Sequence, residues 1–150
     1  MISGCTANVV LITHDKIYCA NAGDSRSVLN NSGAKPSNAV PLSKDHKPND
    51  WIEHKRILAA KHCVMMNRVD MCLALSRAFG DFVYKDRDYL PPEQQAVTAF
   101  PDVTVRNRDE KDLFMVIACD GIWDCLSNVE CIGLFSYKIS KLKSLEDCQE

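Results

Sequence analysis

Leu113-Phe114-Met115-Val116-Ile117-Ala118-Cys119-Asp120-Gly121-Ile122-Trp123-Asp124 is the stretch on which the fold turns. It opens with a continuous apolar run of strand length, residues 113–119, that lacks the alternation of a half-exposed strand. Such a run predicts a central strand buried on both faces. Downstream, Ser127-x-x-Glu130 has the spacing of a capping box, and Val129, Ile132, Phe135 and Ile139 recur at helical spacing. The region reads as a buried strand that passes through 120–126 into a helix.

Working outward, residues 7–13 are apolar and β-branched, His14-Asp15-Lys16 is a polar turn, and residues 17–22 form a second strand. Two such runs across a tight polar turn predict an antiparallel hairpin. Residues 25–29 are a third strand, and Asn30-Asn31-Ser32-Gly33 has the composition of a turn. Residues 34–50 hold three of the six prolines and read as loop, after which Asn49 or Asp50 caps a helix over 51–61. A strand pair over 63–68 and 71–75, a loop over 86–101 and a strand over 103–106 complete the chain. Strands in hairpins with covering helices place it in the α+β class.

The 150 residues make one domain of ordinary globular composition, 46% hydrophobic and 25% charged. Twenty acidic against 18 basic residues leave a net charge of −2. That balance excludes a generic basic nucleic-acid binder and a polybasic membrane-peripheral protein, so no nucleic acid and no membrane are expected as partners. No apolar run approaches bilayer length, and Met1-Ile2-Ser3-Gly4 has neither region of a secretory signal. The eight cysteines show neither C-x-x-C nor zinc spacing, and Cys19, Cys72 and Cys119 lie in apolar runs as small buried hydrophobes. The expectation is a reduced, intracellular chain, cytoplasmic and/or nuclear.

Three acidic motifs each follow an apolar run and set Asp beside Gly: Gly23-Asp24, Gly80-Asp81 and Asp120-Gly121, the last continuing to Asp124. A carboxylate at the end of a buried strand is partly desolvated and needs a partner or a cation. Mg²⁺ and Mn²⁺ take oxygen ligands of this kind. Asp120 and Asp24 are therefore candidate ligands, with Asp124 and Asp81 behind them. The alternatives stay open: a hairpin turn for any of these motifs, an Arg26 partner for Asp24, a helix cap for Asp124. His14, His46, His54 and His62 are scattered and read as surface or turn residues. Ser25 and Ser76 lack the signature of an activated nucleophile, Cys119 lacks a C-x₅-R phosphate loop, and Arg26 and Arg77 read as partners of nearby acids.

The motifs also carry a family likeness. Ser3-Gly4-Cys5-Thr6-Ala7, Asn21-Ala22-Gly23-Asp24-Ser25-Arg26, Leu42-Ser43-Lys44-Asp45-His46-Lys47-Pro48, Glu53 through Ile57, Leu75-Ser76-Arg77-Ala78-Phe79-Gly80-Asp81 and Asp120-Gly121-Ile122-Trp123-Asp124 occur in this order. In that order they resemble the motifs of type-2C, metal-dependent protein Ser/Thr phosphatases, the PPM family. The resemblance implies a partial α-β-β-α sandwich of two antiparallel sheets flanked by helices. It implies a phosphoprotein substrate and hydrolysis of phosphoserine or phosphothreonine by a metal-activated water. By motif match, Asp120 is a ligand of the catalytic Mg²⁺ or Mn²⁺ pair, and Asp24 and Asp124 belong to an additional metal site. No catalytic side chain is carried over, and no substrate-binding residue is assigned. The region from about 47 to 80 corresponds to the flap beside the active site.

The family's early D-G-H-G-G segment and late R-D-N segment have no counterpart here, so residues 1–150 read as an incomplete domain. The alternative to an enzyme is then a catalytically incomplete module with a binding or regulatory role, or with no function. Two smaller departures touch the backbone. Lys61-His62 stands where the family has Gly-Gly, and Met71 replaces a turn glycine. Both are expected to disturb local geometry, because glycine accepts positive φ and Met does not readily.

Overall fold

The computed structural model of the chain describes residues 3–33 and 37–146. In chain order the elements are β1 (Gly4–Cys5), β2 (Ala7–Ile12), β3 (Lys16–Ala22), β4 (Arg26–Asn31), β5 (Ala39–Pro41), α1 (Trp51–Ala59), β6 (Val64–Met65), β7 (Arg68–Val69), β8 (Phe79–Gly80), β9 (Asp102–Asn107), β10 (Asp112–Ala118), α2 (Asp120–Trp123) and α3 (Asn128–Glu146). Short 3₁₀ turns at Phe82–Tyr84 and Pro92–Gln94 punctuate the region between β8 and β9.

Two three-stranded antiparallel sheets form the body, ordered β2-β3-β9 and β10-β4-β5. The β2–β3 hairpin closes where expected, with the Thr13 N–H donating to the Lys16 carbonyl at 2.8 Å. The sheets meet through Ile17 and Cys19 on one side and Leu29, Val40, Leu42 and Met115 on the other. The far face of the second sheet, through Val28 and Val116, packs against Trp123, Cys131 and Ile132 from the two C-terminal helices. Sheet, sheet and helix are thus stacked in the order the sandwich requires. The far face of the first sheet is open, with Val9 and Val103 about 60% exposed.

The doubly buried strand is β4, which corrects the expectation placed on residues 113–119. β10 has one neighbour and is an edge strand, and Leu113 is 61% exposed. β4 lies between β10 and β5, under the first sheet and over α3. It runs through Asn30 and Asn31, expected as a turn, because their amides find partners. Asn30 Nδ2 donates to Ser136 Oγ at 3.0 Å, and Asn31 Nδ2 donates to Asp112 Oδ1 at 2.7 Å. The two amide nitrogens are satisfied, whereas Asn30 Oδ1 is buried with no hydrogen-bond partner among the described residues. The expected loop over 34–50 also contains a short strand, β5, on the free side of β4.

The capping box at α3 forms in full. Ser127 Oγ accepts the Glu130 N–H at 3.3 Å, and Glu130 Oε2 accepts the Ser127 N–H at 2.8 Å. Asp50 stands at the N-cap of α1, but its side chain makes no cap bond and pairs instead with Lys44 Nζ at 3.0 Å. Cys19 is buried as expected, whereas Cys72 and Cys119 are exposed, since the apolar runs that hold them are not core on all sides.

Residues 51–100 build a third apolar cluster, Ile57, Val69, Ala78 and Val97. The strand pair expected over 63–75 is shorter and earlier. β6 and β7 pair through a two-residue loop, Met66-Asn67, with φ of 52° and 62°. That is the left-handed pattern of a type I′ hairpin turn. Asp70-Met71 repeats it at φ of 48° and 61°, closed by the Cys72 N–H on the Val69 carbonyl at 3.0 Å. Helix α1 ends in a Schellman motif. Lys61, at φ 61°, donates its N–H to Leu58 O, and His62 donates to Ile57 O. The backbone therefore keeps the glycine geometry and places side chains in it, at about 1 kcal/mol each. Met71→Gly and Lys61→Gly should each raise the unfolding free energy in urea titration by about 0.5–1 kcal/mol, and Met71→Ala should leave it unchanged.

Candidate metal centre

The antiparallel register pairs Ala118 of β10 with Arg26 of β4. Asp120 lies two residues beyond Ala118 and Asp24 two residues before Arg26, so both leave the same end of neighbouring strands. Asp120 opens α2, and Asp124 closes it by donating its N–H to the Asp120 carbonyl at 2.7 Å. Asp120 and Asp124 are exposed, whereas Asp24 is buried.

Burial of Asp24 follows from the loop that carries it. Gly23 has φ of 119°, and a Cβ there would run into Thr6. Its N–H donates to His46 Nδ1 at 3.1 Å, and its carbonyl accepts the His46 N–H at 3.0 Å and Asn21 Nδ2 at 3.0 Å. Thr6 and Ser25 share a hydroxyl hydrogen bond of 2.8 Å alongside. Three consecutive side chains of the 42–48 motif then grip the loop. Asp45 receives Arg26 Nε and Nη2, each at 2.8 Å, in a two-pronged pair. His46 holds Gly23. Lys47 Nζ sits 2.6 Å from Asp24 Oδ2.

Arg26 also donates Nη1 to Asn128 Oδ1 at 2.8 Å and lies over the Trp123 ring. One guanidinium thus ties the strand end to the 42–48 motif, to α2 and to the start of α3. Its hydrogen bonds to Asp45 raise its pKa further, against the effect of burial, and Asp124 adds to the attraction. Trp123 Nε1–H on the Ala118 carbonyl, 2.8 Å, fixes the turn between Asp120 and Asp124.

Behind the loop lies an ion network that is buried at Glu53 and Arg77 and open to solvent at Asp102. His46 is 3% exposed, which corrects its reading as a surface residue. Because its Nδ1 accepts the Gly23 amide, the neutral ring carries its proton on Nε2, which faces Asp102 Oδ2 at 3.1 Å. Asp102 also takes Arg77 Nη1 at 2.7 Å, and Arg77 reaches Glu53 Oε1 through Nη2 at 2.6 Å. Glu53 further receives the Ser76 hydroxyl at 2.7 Å and Arg56 Nη1 at 2.8 Å. Burial alone would push the Glu53 carboxyl up, but the Arg77 and Ser76 hydrogen bonds and the Arg56 and Arg77 charges bring it from 4.5 down to about 2. Partial desolvation likewise pushes the Asp102 carboxyl up, but the hydrogen bonds and charges of His46 and Arg77 outweigh it and hold it below the usual carboxylate range. The arginines pair acids as expected, and Ser76 is a buried donor.

His62 is likewise enclosed, its side chain 7% exposed and its ring nitrogens facing Asp70 Oδ2 at 2.7 Å and Asp86 Oδ1 at 3.3 Å. Asp81 is buried at the end of β8, in left-handed geometry, with its carboxyl packed against Gly4.

Asp24, Asp120 and Asp124 offer the hard oxygen donors that Mg²⁺ and Mn²⁺ prefer. The ammonium of Lys47 on Asp24 is a stand-in cation, evidence that the pocket around this carboxylate accepts positive charge. Among the described residues no group of three or more His, Cys, Asp or Glu side chains is gathered to hold a metal ion. The chain therefore presents carboxylates for part of a coordination shell. Sequence reasoning quoted the 42–48 motif without seeing that it clamps the Asp24 loop. It also missed the Glu53 network, which joins the Glu53–Arg56 pair of α1 to Ser76 and Arg77, more than 20 residues further on.

The profile of the protein phosphatase 2C family matches residues 1–150. The chain is 53% identical over 145 residues to protein phosphatase 2C homolog 2 of Schizosaccharomyces pombe, covering 96% of this chain and 38% of that protein. It is 51% identical over 148 residues to homolog 3 of the same yeast, covering 99% of this chain and 34% of that one. A crystal structure of a phosphatase from Toxoplasma gondii superposes with a TM-score of 0.72 at 39% identity, over 84% of this chain and 39% of that one. A serine-threonine phosphatase 2C from the same organism gives 0.70 at 24% identity, over 85% of this chain and 45% of that one, a likeness of fold. The chain thus spans between about a third and two fifths of the length of these curated relatives.

Glu53 binds its proton less well folded than unfolded, so its stabilisation is full above pH 4.5 and is lost as pH falls towards about 2. The gap corresponds to about 3 kcal/mol. Urea unfolding of Glu53→Gln should show that loss already at neutral pH and a flatter acid limb than the parent.

Proposed function

The chain belongs to the protein phosphatase 2C family, and on that footing we propose that it forms the middle-to-late part of a domain that hydrolyses phosphoserine and phosphothreonine in proteins. The observation that carries this reading is the pair of carboxylates, Asp24 and Asp120, at one end of β4 and β10. In this reading Asp120 holds a catalytic Mg²⁺ or Mn²⁺, and Asp24 and Asp124 hold a further ion. When bound, the metal supplies an activated water and offsets charge on the phosphoryl group.

The remaining work falls to the chain's own residues. Arg26, Asp45 and His46 hold the Asp24 loop still, so that this carboxylate is in place before an ion binds. Residues 47–80 stand beside this end of the sheet, since Lys47 touches Asp24, and as the flap they govern which phosphoprotein approaches. A second reading, a catalytically incomplete binding module, is favoured by one observation: the described residues gather no complete metal cage.

The test is Mn²⁺-dependent hydrolysis of an aryl phosphate and of a phosphothreonine peptide. It compares the purified chain with a chimera in which the chain replaces the matched stretch of the fission-yeast homolog 2. The chimera should turn over both substrates, and Asp120→Asn should lower its rate by about a hundredfold or more. An inactive chimera that folds and binds phosphopeptide would instead support the module.

A further inference from the structure

Asp24 is a buried carboxylate, and a charge out of water is costly unless it is paired. Its side chain is 6% exposed, and the cation the chain supplies is Lys47, whose Nζ lies at 2.6 Å and whose side chain is 39% exposed. The neighbouring cations are committed elsewhere, Arg26 to both oxygens of Asp45 and Lys44 to Asp50. Lys47 is anchored at its base, between buried His46 and buried Pro48. Its tip is not. It borders two open cavities, of about 370 Å³ beside Arg26, Ser43 and Lys44 and about 290 Å³ beside Asn49, Asn67 and Arg68. The ammonium can therefore leave Asp24 and remain hydrated, while the carboxylate cannot follow.

We propose that Lys47 is a tethered counter-ion that a divalent cation must displace from Asp24. This rests on the reading of Asp24 as a metal ligand. Without metal, the ammonium neutralises the carboxylate and preserves the loop. With metal on the carboxylate, the divalent charge repels the ammonium at close range, and the lysine swings into a cavity. No covalent bond changes. Lys47 thereby sets the metal concentration at which the Asp24 position fills, and it is a positioning residue that makes no contact with the reacting atoms.

The experiment is a Mn²⁺ titration of the full 150-residue chain by calorimetry and electron paramagnetic resonance, with lysine acetylation read by mass spectrometry. Lys47→Gln keeps a hydrogen-bond donor and removes the charge, and should bind Mn²⁺ about tenfold more tightly than the parent. Lys47→Arg keeps the charge and should match the parent. Lys44→Gln removes a like charge from the same cavity without touching Asp24, and should also match it. In the parent chain Mn²⁺ should speed acetylation of Lys47 several-fold and leave Lys44 unchanged; this arm decides the matter if Lys47→Gln does not fold. Unchanged affinity in Lys47→Gln, with weaker binding in Asp24→Asn, would overturn the counter-ion and leave the metal reading intact. Binding in Asp24→Asn equal to the parent would overturn the metal reading, and the proposal with it.

Discussion

A carboxylate taken out of water must be given a cation, and much of this structure follows from meeting that condition. Glu53 is the clearest case. Buried on the inner face of α1, it draws in Arg77 and Arg56, and Arg77 reaches on to Asp102. Asp102 receives the Nε2 proton of His46, whose other nitrogen accepts the Gly23 amide. Four side chains in series thus connect the helix over 51–59 to the loop that bears Asp24. Breaking such a series by removing one partner leaves a buried charge without compensation, the costly way to alter a buried ion pair.

Signals local in the sequence were legible. The capping box at Ser127 and Glu130 spans three residues and formed as read. The hairpin at His14 and Asp15 and the strand extents on either side needed only composition. The outline of two antiparallel sheets flanked by helices came through the ordered motifs. Burial was less legible, because it depends on neighbours. The apolar run at 113–119 looks more like a core strand than β4, yet β10 is an edge and the strand with two asparagines is central. Polarity misleads wherever a side chain meets a partner 80 or more residues away, as Asn31 meets Asp112. His46 and His62 looked ordinary because their partners, 8 to 56 residues away, leave no mark on local spacing. Nothing in a lone histidine's spacing announces that both nitrogens are satisfied.

The site divides similarly. Asp24 and Asp120 were found as strand-end acids, and the register sets them at one end of adjacent strands. The three residues that immobilise Asp24 were quoted as a motif, but their roles lay in contacts across about twenty positions. A motif records which residues recur together; their hydrogen bonds explain why. The 42–48 segment reads as loop by composition, yet it makes a two-pronged ion pair, a backbone clamp and a counter-ion within three residues.

The third apolar cluster has a consequence for motion. Ile57, Val69, Ala78 and Val97 pack among themselves and share no member with the two clusters of the sandwich. Polar ties through Arg77 and His46, together with the short β1–β8 ladder, join the two regions. Cooperative units in a native protein follow the boundaries of apolar packing, since that is where the free energy of opening is lowest. Residues 51–100 are therefore the unit expected to open first, with β3 and β4 staying closed. In hydrogen exchange, the amides of α1 report this partial opening, and those of β4 report unfolding of the whole.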